Sequence, residues 1–340
     1  MKLRFFVISI VVILISCSEK KSQKIITAAA YHWKSSYKPT EALLQKADQA
    51  HICKQYIRFF DIDLDQESGS PIPKSLIRFK KSPQSEIVPV IYITNRTFKD
   101  ANSLLPKDLA QKAAKKINEI AENNAIDFRA VQIDCDWTKS TAKSYFDFLE
   151  EFKRGFSNDI QFSVTLRLHQ IKFKEQTGVP PVSSGTLMLY NMGDWTNIET
   201  PNSLFDPQII DQYIHRIPEY PLALDIALPI YTQIIVYRNN QFFTYLKNAS
   251  IKDLQKEFDL KKGDKTNQYI CTIDKEYRSK SFRKGDIFRA EKASYANLIK
   301  VKKAMKQRIT NKEMEIILYH LDEKSFENFS LRQIRQLVKN

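Results

Sequence analysis

The sequence predicts an α/β chain folded as one (β/α)8 TIM-type barrel with an elaborated loop after its seventh strand. Three observations carry that reading. Short apolar segments alternate with longer amphipathic ones, the pattern of a parallel sheet wrapped by helices. Eight such strand segments can be counted. No Gly/Ser/Pro-rich linker divides the 340 residues, which include only seven glycines, and the length suits one barrel.

Residues 1–16 read as an export signal. MKLR supplies a positive start, and Phe5 to Ile15 is an almost unbroken apolar run, too short to span a bilayer as an ordinary helix. The run ends in Leu14-Ile15-Ser16-Cys17, which resembles the bacterial lipobox. That resemblance implies cleavage before Cys17, acylation of its thiol and amino group, and attachment to the lipid bilayer without a spanning helix. The alternative is an ordinary secretory signal with a chance cysteine. Ser18 stands where an aspartate often retains lipoproteins at the inner membrane, so the expected location is the outer membrane, periplasmic or surface-facing. Residues 17–24 are polar and aperiodic, a lipidated tether.

The barrel is expected over residues 25–340. Its strands are 25–33, 56–63, 87–94, 130–137, 161–169, 185–193, 222–233 and 315–322. Helical periodicity covers 39–50, 106–123, 140–154, 206–216 and 293–308, and 331–338 closes the fold. Between the second and third strands, 71–82 offers only about two helical turns. Residues 234–290 depart from the alternation. A turn at Asn239-Asn240, a Tyr/Thr/Ile-rich stretch and a second turn at Lys284-Gly285-Asp286 predict an inserted β-hairpin in the seventh loop, on the face where insertions shape clefts. A separate small domain is the alternative, disfavoured by the lack of linkers.

Charge and cysteines narrow the partners. The formal charge is +14, and losing Lys2 and Arg4 with the signal leaves +12. The lysines of 107–116 and 292–306 are interleaved with apolar residues at helical spacing, which reads as solvated helix faces and not as a nucleic-acid groove. Anionic glycans or lipid headgroups suit this charge better. Cys53, Cys135 and Cys271 have no zinc or redox spacing and are expected to be buried as small apolar residues. No cofactor or metal is expected, and the chain is read as a monomer.

The chemistry concentrates at strand ends, above all at Val131 to Thr138, VQIDCDWT. Alternation places Asp134 and Asp136 on one face of a strand that ends at the catalytic rim of such barrels. The other strand ends bring Trp33, Asp63, Arg167, His169, Tyr190, Asn191, Tyr231, Gln233, His320 and Asp322 to the same rim. Trp33, Trp137 and Trp195 are the three tryptophans, and all follow strand ends. A single one would read as a buried cap; three in matching positions point to sugar stacking. A metal-dependent hydrolase built from His169, His320 and Asp134 or Asp136 is a further reading, but no HxxxH or HxH spacing supports it.

VQIDCDWT resembles the D-x-x-D-x-D-x-E signature of chitinase-type, family-18-like glycoside hydrolases. Asp134 and Asp136 match its second and third acids, Val131 replaces the first, and Thr138 replaces the glutamate. Leu187 to Trp195 is similar to the M-x-Y-D-x-x-G-x-W run, with Asn191 for the aspartate and Gly193 shifted; at the eighth strand, Tyr319 stands where the family has tryptophan. More of the chain, including 224–233, resembles bacterial barrel lipoproteins grouped with glycoside hydrolases without an assigned activity. The resemblance implies an oligo- or polysaccharide partner. It also implies that the usual proton donor is missing, since a threonine hydroxyl is far too weak an acid. The expectation is therefore either a glycan-binding protein or a hydrolase. In the hydrolase, Asp136 donates the proton, Asp134 raises its pKa and Arg167 opposes the rise. Asp63 or Asp322 would stand across the cleft, Tyr190 and Asn191 would orient the sugar, and Trp137 and Trp195 would stack on it.

Overall fold

The structure, a computed structural model, describes residues 24–99 and 106–339. The signal, Cys17 and most of the tether lie outside the described residues. Seven strands come in succession: β1 (Ile25–His32), β2 (Lys54–Leu64), β3 (Glu86–Ile93), β4 (Ala130–Asp134), β5 (Gln161–Leu166), β6 (Ser184–Met188) and β7 (Ala223–Pro229). An insertion then adds β8 (Thr232–Arg238), β9 (Gln241–Lys247), β10 (Leu260–Lys262), β11 (Gln268–Cys271) and β12 (Ile287–Lys292). The last stave is β13 (Glu313–Tyr319).

β1 to β7 and β13 form a closed parallel barrel. β13 pairs with β7 on one side and β1 on the other, and β1 closes the ring against β2 from Ala29↔Lys54 to His32↔Ile57. All eight predicted strand segments fall on these staves. Closure leaves no free edge in the ring and sends every carboxyl end to one rim. The strands are buried on both faces, Val131 to Asp134 and Met314 to Tyr319 throughout, as expected beneath a helix layer.

The lumen holds a polar plug. Gln132 is fully buried; its Nε2 donates to Ser163 Oγ at 3.2 Å and Thr186 Oγ1 at 3.0 Å, while its Oε1 accepts from the Tyr31 hydroxyl. At the amino end, Tyr56 Oη donates to Glu315 Oε2 at 2.6 Å, and Lys54 Nζ lies 3.2 Å from Glu315. Each of these lumen groups thus has a partner that offsets its desolvation.

The helices include α1 (Glu41–Gln49), α2 (Pro106–Asn123), α3 (Ala142–Lys153), α4 (Leu168–Lys172), α5 (Pro207–Asp211), α6 (Tyr295–Arg308), α7 (Glu323–Glu327) and α8 (Leu331–Val338), with short turns of helix at Asn95–Lys99, Lys174–Thr177 and Ile251–Leu254. α2 shows why they form: Pro106 opens it, and Leu109, Ala113, Ile117 and Ile120 bury one stripe at helical spacing. α8 starts with a capping box between Ser330 and Gln333. Two expectations are corrected. Residues 71–82 hold no helix; Pro71–Lys74 pairs antiparallel with β2, and Arg78–Phe79 pairs parallel with Ser36–Tyr37. Pro71 and Pro73 explain this, since proline is tolerated at a sheet edge but breaks a helix interior. The helix read over 206–216 stops at Asp211 and resumes as a 3-10 turn, Ile214–Glu219, that contains Pro218.

The insertion is an antiparallel sheet in the order β9-β8-β12-β11-β10. Asn239 and Asn240, at φ of 52° and 62°, form the two-residue turn between β8 and β9, the left-handed pair such hairpins need. One face packs a core of its own from Ile234, Val236, Leu246, Phe258, Phe282 and Phe288. Cys135 and Cys271 are buried, whereas Cys53 is exposed.

Replacing Gln132 with leucine strands the Tyr31 and Thr186 hydroxyls inside the lumen. The expected cost is about 2–4 kcal/mol in urea unfolding, with an unchanged m-value. A loss below about 0.5 kcal/mol would mean that the plug contributes nothing.

Candidate functional site

A cavity of about 640 Å³ opens at the carboxyl rim, between the barrel and the insertion sheet. The barrel side supplies Asp136, Thr138, Arg167, His169, Tyr190 and Asn191, and the sheet side supplies Gln233, Ile235, Tyr245 and Lys247. Strand alternation divides the sheet's labour: Ile234, Val236 and Leu246 face the insertion's core, while Gln233, Ile235, Tyr245 and Lys247 face the cavity.

Arg167 organises the acids. Its Nε donates to Asp136 Oδ1 at 2.7 Å and its Nη2 to Asp136 Oδ2 at 3.2 Å, the bidentate fork that suits a carboxylate. Its Nη1 reaches the Tyr190 carbonyl at 3.4 Å. Asp134 lies behind this pair, buried, and accepts from Thr165 Oγ1 at 2.5 Å. Burial and then the Asp136 charge push its pKa up to about 6, against the pull of Arg167 and Thr165. The expected roles are thus reversed: the carboxyl raised into the range of a proton holder is Asp134, while Asp136 is held by the guanidinium. Arg167 itself stays protonated; burial disfavours its charge, but Asp136 more than offsets that.

Beside them, His169 is exposed on the cavity wall. Its pKa is lowered, first by desolvation, with Asp136 opposing and Arg167 reinforcing the shift. Thr138 Oγ1 sits 3.0 Å from Ser140 Oγ and 3.3 Å from Thr141 Oγ1, in a short hydroxyl cluster that opens α3. Asn191, at a φ of 52°, accepts from Tyr231 Oη at 2.9 Å. Gln233 Nε2 donates to buried Glu291 at 2.7 Å, and Ser203 Oγ donates to the same carboxylate at 2.7 Å, tying the β6 loop to the sheet. Trp195 is 44% exposed. It packs edge-on against Phe242 at 4.3 Å, and its carbonyl accepts from Tyr237 Oη at 2.7 Å.

Five expected ligand contacts are not at the cavity. Trp137 is fully buried: its Nε1 donates to the Thr177 carbonyl at 2.9 Å, and its ring packs on Tyr145 and Phe146. It caps the barrel end, because the chain leaves β4 at Asp134 and strand alternation no longer applies. Asp63 is taken up by Arg96, Thr94 and Lys74; the Arg96 hydrogen bond holds its carboxyl far below the usual range despite some desolvation. Asp322 is buried as the cap of α7, bonding Ser325 N at 2.7 Å and His320 Nε2 at 2.7 Å. Desolvation alone would raise its pKa, but His320 and that backbone bond hold it well below the usual range. His320 is correspondingly enclosed, and neither Asp63 nor Asp322 stands across the cleft from Asp136. Trp33 is half-buried against Tyr31 and Tyr319 and does not line the cavity. Among the described residues, no three His, Cys, Asp or Glu side chains gather to hold a metal.

Sequence reasoning missed Tyr213, Tyr245 and Lys247, which also line the cavity. The signal for the last two was their i, i+2 spacing in β9, which puts them on the face opposite Leu246.

Because the Asp134 pKa is raised on folding, the folded state holds more protons than the unfolded one between pH 4 and 6. Stability contributed by this group is present at low pH and is lost as pH rises through about 6. Relative to Asp134→Asn, the wild type should lose about 1–3 kcal/mol between pH 4.5 and 7.5 in urea titrations. A pH-independent difference would refute the buried-carboxyl assignment.

No protein-family model matches this sequence, and no curated protein sequence does either. Solved structures do match in fold. The chitinase of Chromobacterium violaceum aligns over 93% of this chain and 99% of its own, at 10% identity and a TM-score of 0.54. The spore cortex-lytic enzyme SleL of Bacillus cereus aligns over 93% and 75%, at 13% identity and a TM-score of 0.53. A GH18 chitinase mutant from Cycas revoluta, solved in complex with (GlcNAc)4, aligns over 91% and 99%, at 12% identity and a TM-score of 0.50. At these identities the likeness is one of architecture: the chain has the (β/α)8 barrel fold of chitinase-type glycoside hydrolases.

Proposed function

We propose that this protein binds an oligo- or polysaccharide in the rim cavity without cleaving it. One observation carries the reading: among the described residues Asp136 is the only carboxyl lining the cavity, and Arg167 holds it through both oxygens. Glycoside hydrolysis ordinarily needs two carboxyl groups flanking the bond, one of them a proton donor. Thr138, at the place of the resemblance's glutamate, offers only a hydroxyl within a hydroxyl cluster. What the wall does offer is aromatic planes and hydrogen-bonding groups: Trp195, Tyr213 and Tyr245 beside Asn191 and His169. Apolar sugar faces stack on such planes while their hydroxyls meet the polar groups. The glycan-active proteins that share the fold support a sugar as the occupant.

A hydrolytic reading has one observation in its favour, the raised carboxyl of Asp134. It would make Asp134, and not Asp136, the proton source. Incubation with chitin oligosaccharides and peptidoglycan fragments separates the two. The expected result is measurable binding with no new reducing ends, and a Trp195→Ala variant should bind on the order of tenfold more weakly. Cleavage that disappears in Asp134→Asn would establish the hydrolase instead.

The binding barrel is proposed to work at a membrane, as an exported lipoprotein held by acylated Cys17 and directed to the outer membrane. The LISC run and its apolar lead support this. No described helix is long and apolar enough to cross a membrane, so the anchor falls to the lipid. Mass spectrometry of the mature protein should find Cys17 first and triacylated, or diacylated in a host that lacks N-acylation. Retention of residues 1–16 would exclude it.

A further inference from the structure

Lys247 is the one cavity-lining cation among the described residues without a carboxylate partner. Arg167 is neutralised by Asp136, whereas no acid lies within 4.0 Å of Lys247 Nζ. Lys247 projects from β9 toward the barrel, half-buried. Its ammonium lies 4.8 Å from the Tyr319 ring centre and 5.5 Å from that of Tyr231, and it donates to Tyr319 Oη at 2.8 Å. An ammonium carries three donors, so one bond to a phenol leaves capacity for a ligand.

The aromatic seat compensates this charge only in part. Burial lowers the Lys247 pKa to about 8, with Asp322 opposing and Arg58 and Lys34 adding to the shift. The insertion therefore holds a partly desolvated cation at the wall of a sugar-sized cavity, with no carboxylate of the described residues in direct contact. A charge held this way is compensated best by an anion brought in by the ligand.

We infer that the cavity selects an acidic sugar, one whose carboxylate or sulfate pairs with Lys247. The inference rests on the glycan-binding reading and adds the substrate class. It also assigns the insertion a task, because the selecting charge comes from β9 and not from the barrel.

Calorimetry on the purified full chain at pH 7 tests it with two acidic probes, trigalacturonate and a sulfated galactan tetrasaccharide. Each is compared with its neutral counterpart, carboxyl-reduced or desulfated. The wild type should bind at least one acidic probe about tenfold or more tightly than its counterpart, and the probe that shows the preference identifies the anion. Lys247→Gln should abolish the preference, and Lys247→Arg, which keeps the charge, should retain most of it. Retention in Lys247→Arg guards against misfolding as the cause of the loss. Equal binding of acidic and neutral probes would overturn the inference and leave glycan binding standing. A preference that survives in Lys247→Gln would place the selecting charge elsewhere and overturn it too. If no probe bound, this inference would be overturned, and binding of the chitin oligosaccharides and peptidoglycan fragments would decide the glycan reading separately.

Discussion

Barrel closure is the constraint on which the rest of this molecule depends. β1 must satisfy two parallel neighbours at once, β2 and β13, and only then do eight carboxyl ends share a rim. The ring is closed around hydrogen bonds as well as apolar packing. Tyr31, Gln132, Ser163 and Thr186 bridge four staves through one amide. A purely apolar lumen would be more tolerant of register; a fully paired polar one specifies which strand faces which. The polar plug sits directly beneath Asp134, two residues farther along β4, so the position of the buried carboxyl is set by the same register.

From that buried carboxyl outward, the rim is an exercise in charge compensation. Asp134 is deep and tends to keep its proton, Asp136 is shallower and shares Arg167, and Arg167 stays charged because Asp136 faces it. The arrangement satisfies both acids by internal partners, the Thr165 hydroxyl for Asp134 and the Arg167 fork for Asp136. Asp63 with Arg96 and Asp322 with His320 repeat the pattern at the edge of the rim. Four carboxylates that alignment along strand ends would count as reactive are, for the most part, already spoken for.

Much of this was legible in the sequence, for a physical reason. Period-2 burial and helical spacing are local, so eight staves and most helices could be read from runs of ten residues. The acid pair was legible because Asp134 and Asp136 stand two residues apart where β4 ends. What escaped depends on partners distant in sequence: Arg96 for Asp63, Thr177 for Trp137, Asn248 for Asp322. Trp137 illustrates the limit, since a tryptophan that follows a strand end looks the same whether the chain then turns its ring outward or under α3. The prolines at 71 and 73 could have excluded a helix there, as they are incompatible with a helix interior but not with an edge strand.

The insertion begins and ends at neighbouring points. Thr232 and Lys292 are directly paired across β8 and β12, about 5 Å apart as antiparallel partners are, and Ser294 caps α6 immediately afterwards. With its own aromatic core, the 61-residue roof is a cassette on a narrow stem. The chain leaves and rejoins the barrel at that one stem, and the roof is then pinned to the rim by Lys247 on Tyr319 and Asn248 on Asp322. A change in the far strands of the roof is thereby absorbed within its own core, whereas a change at either pin is felt at the barrel rim.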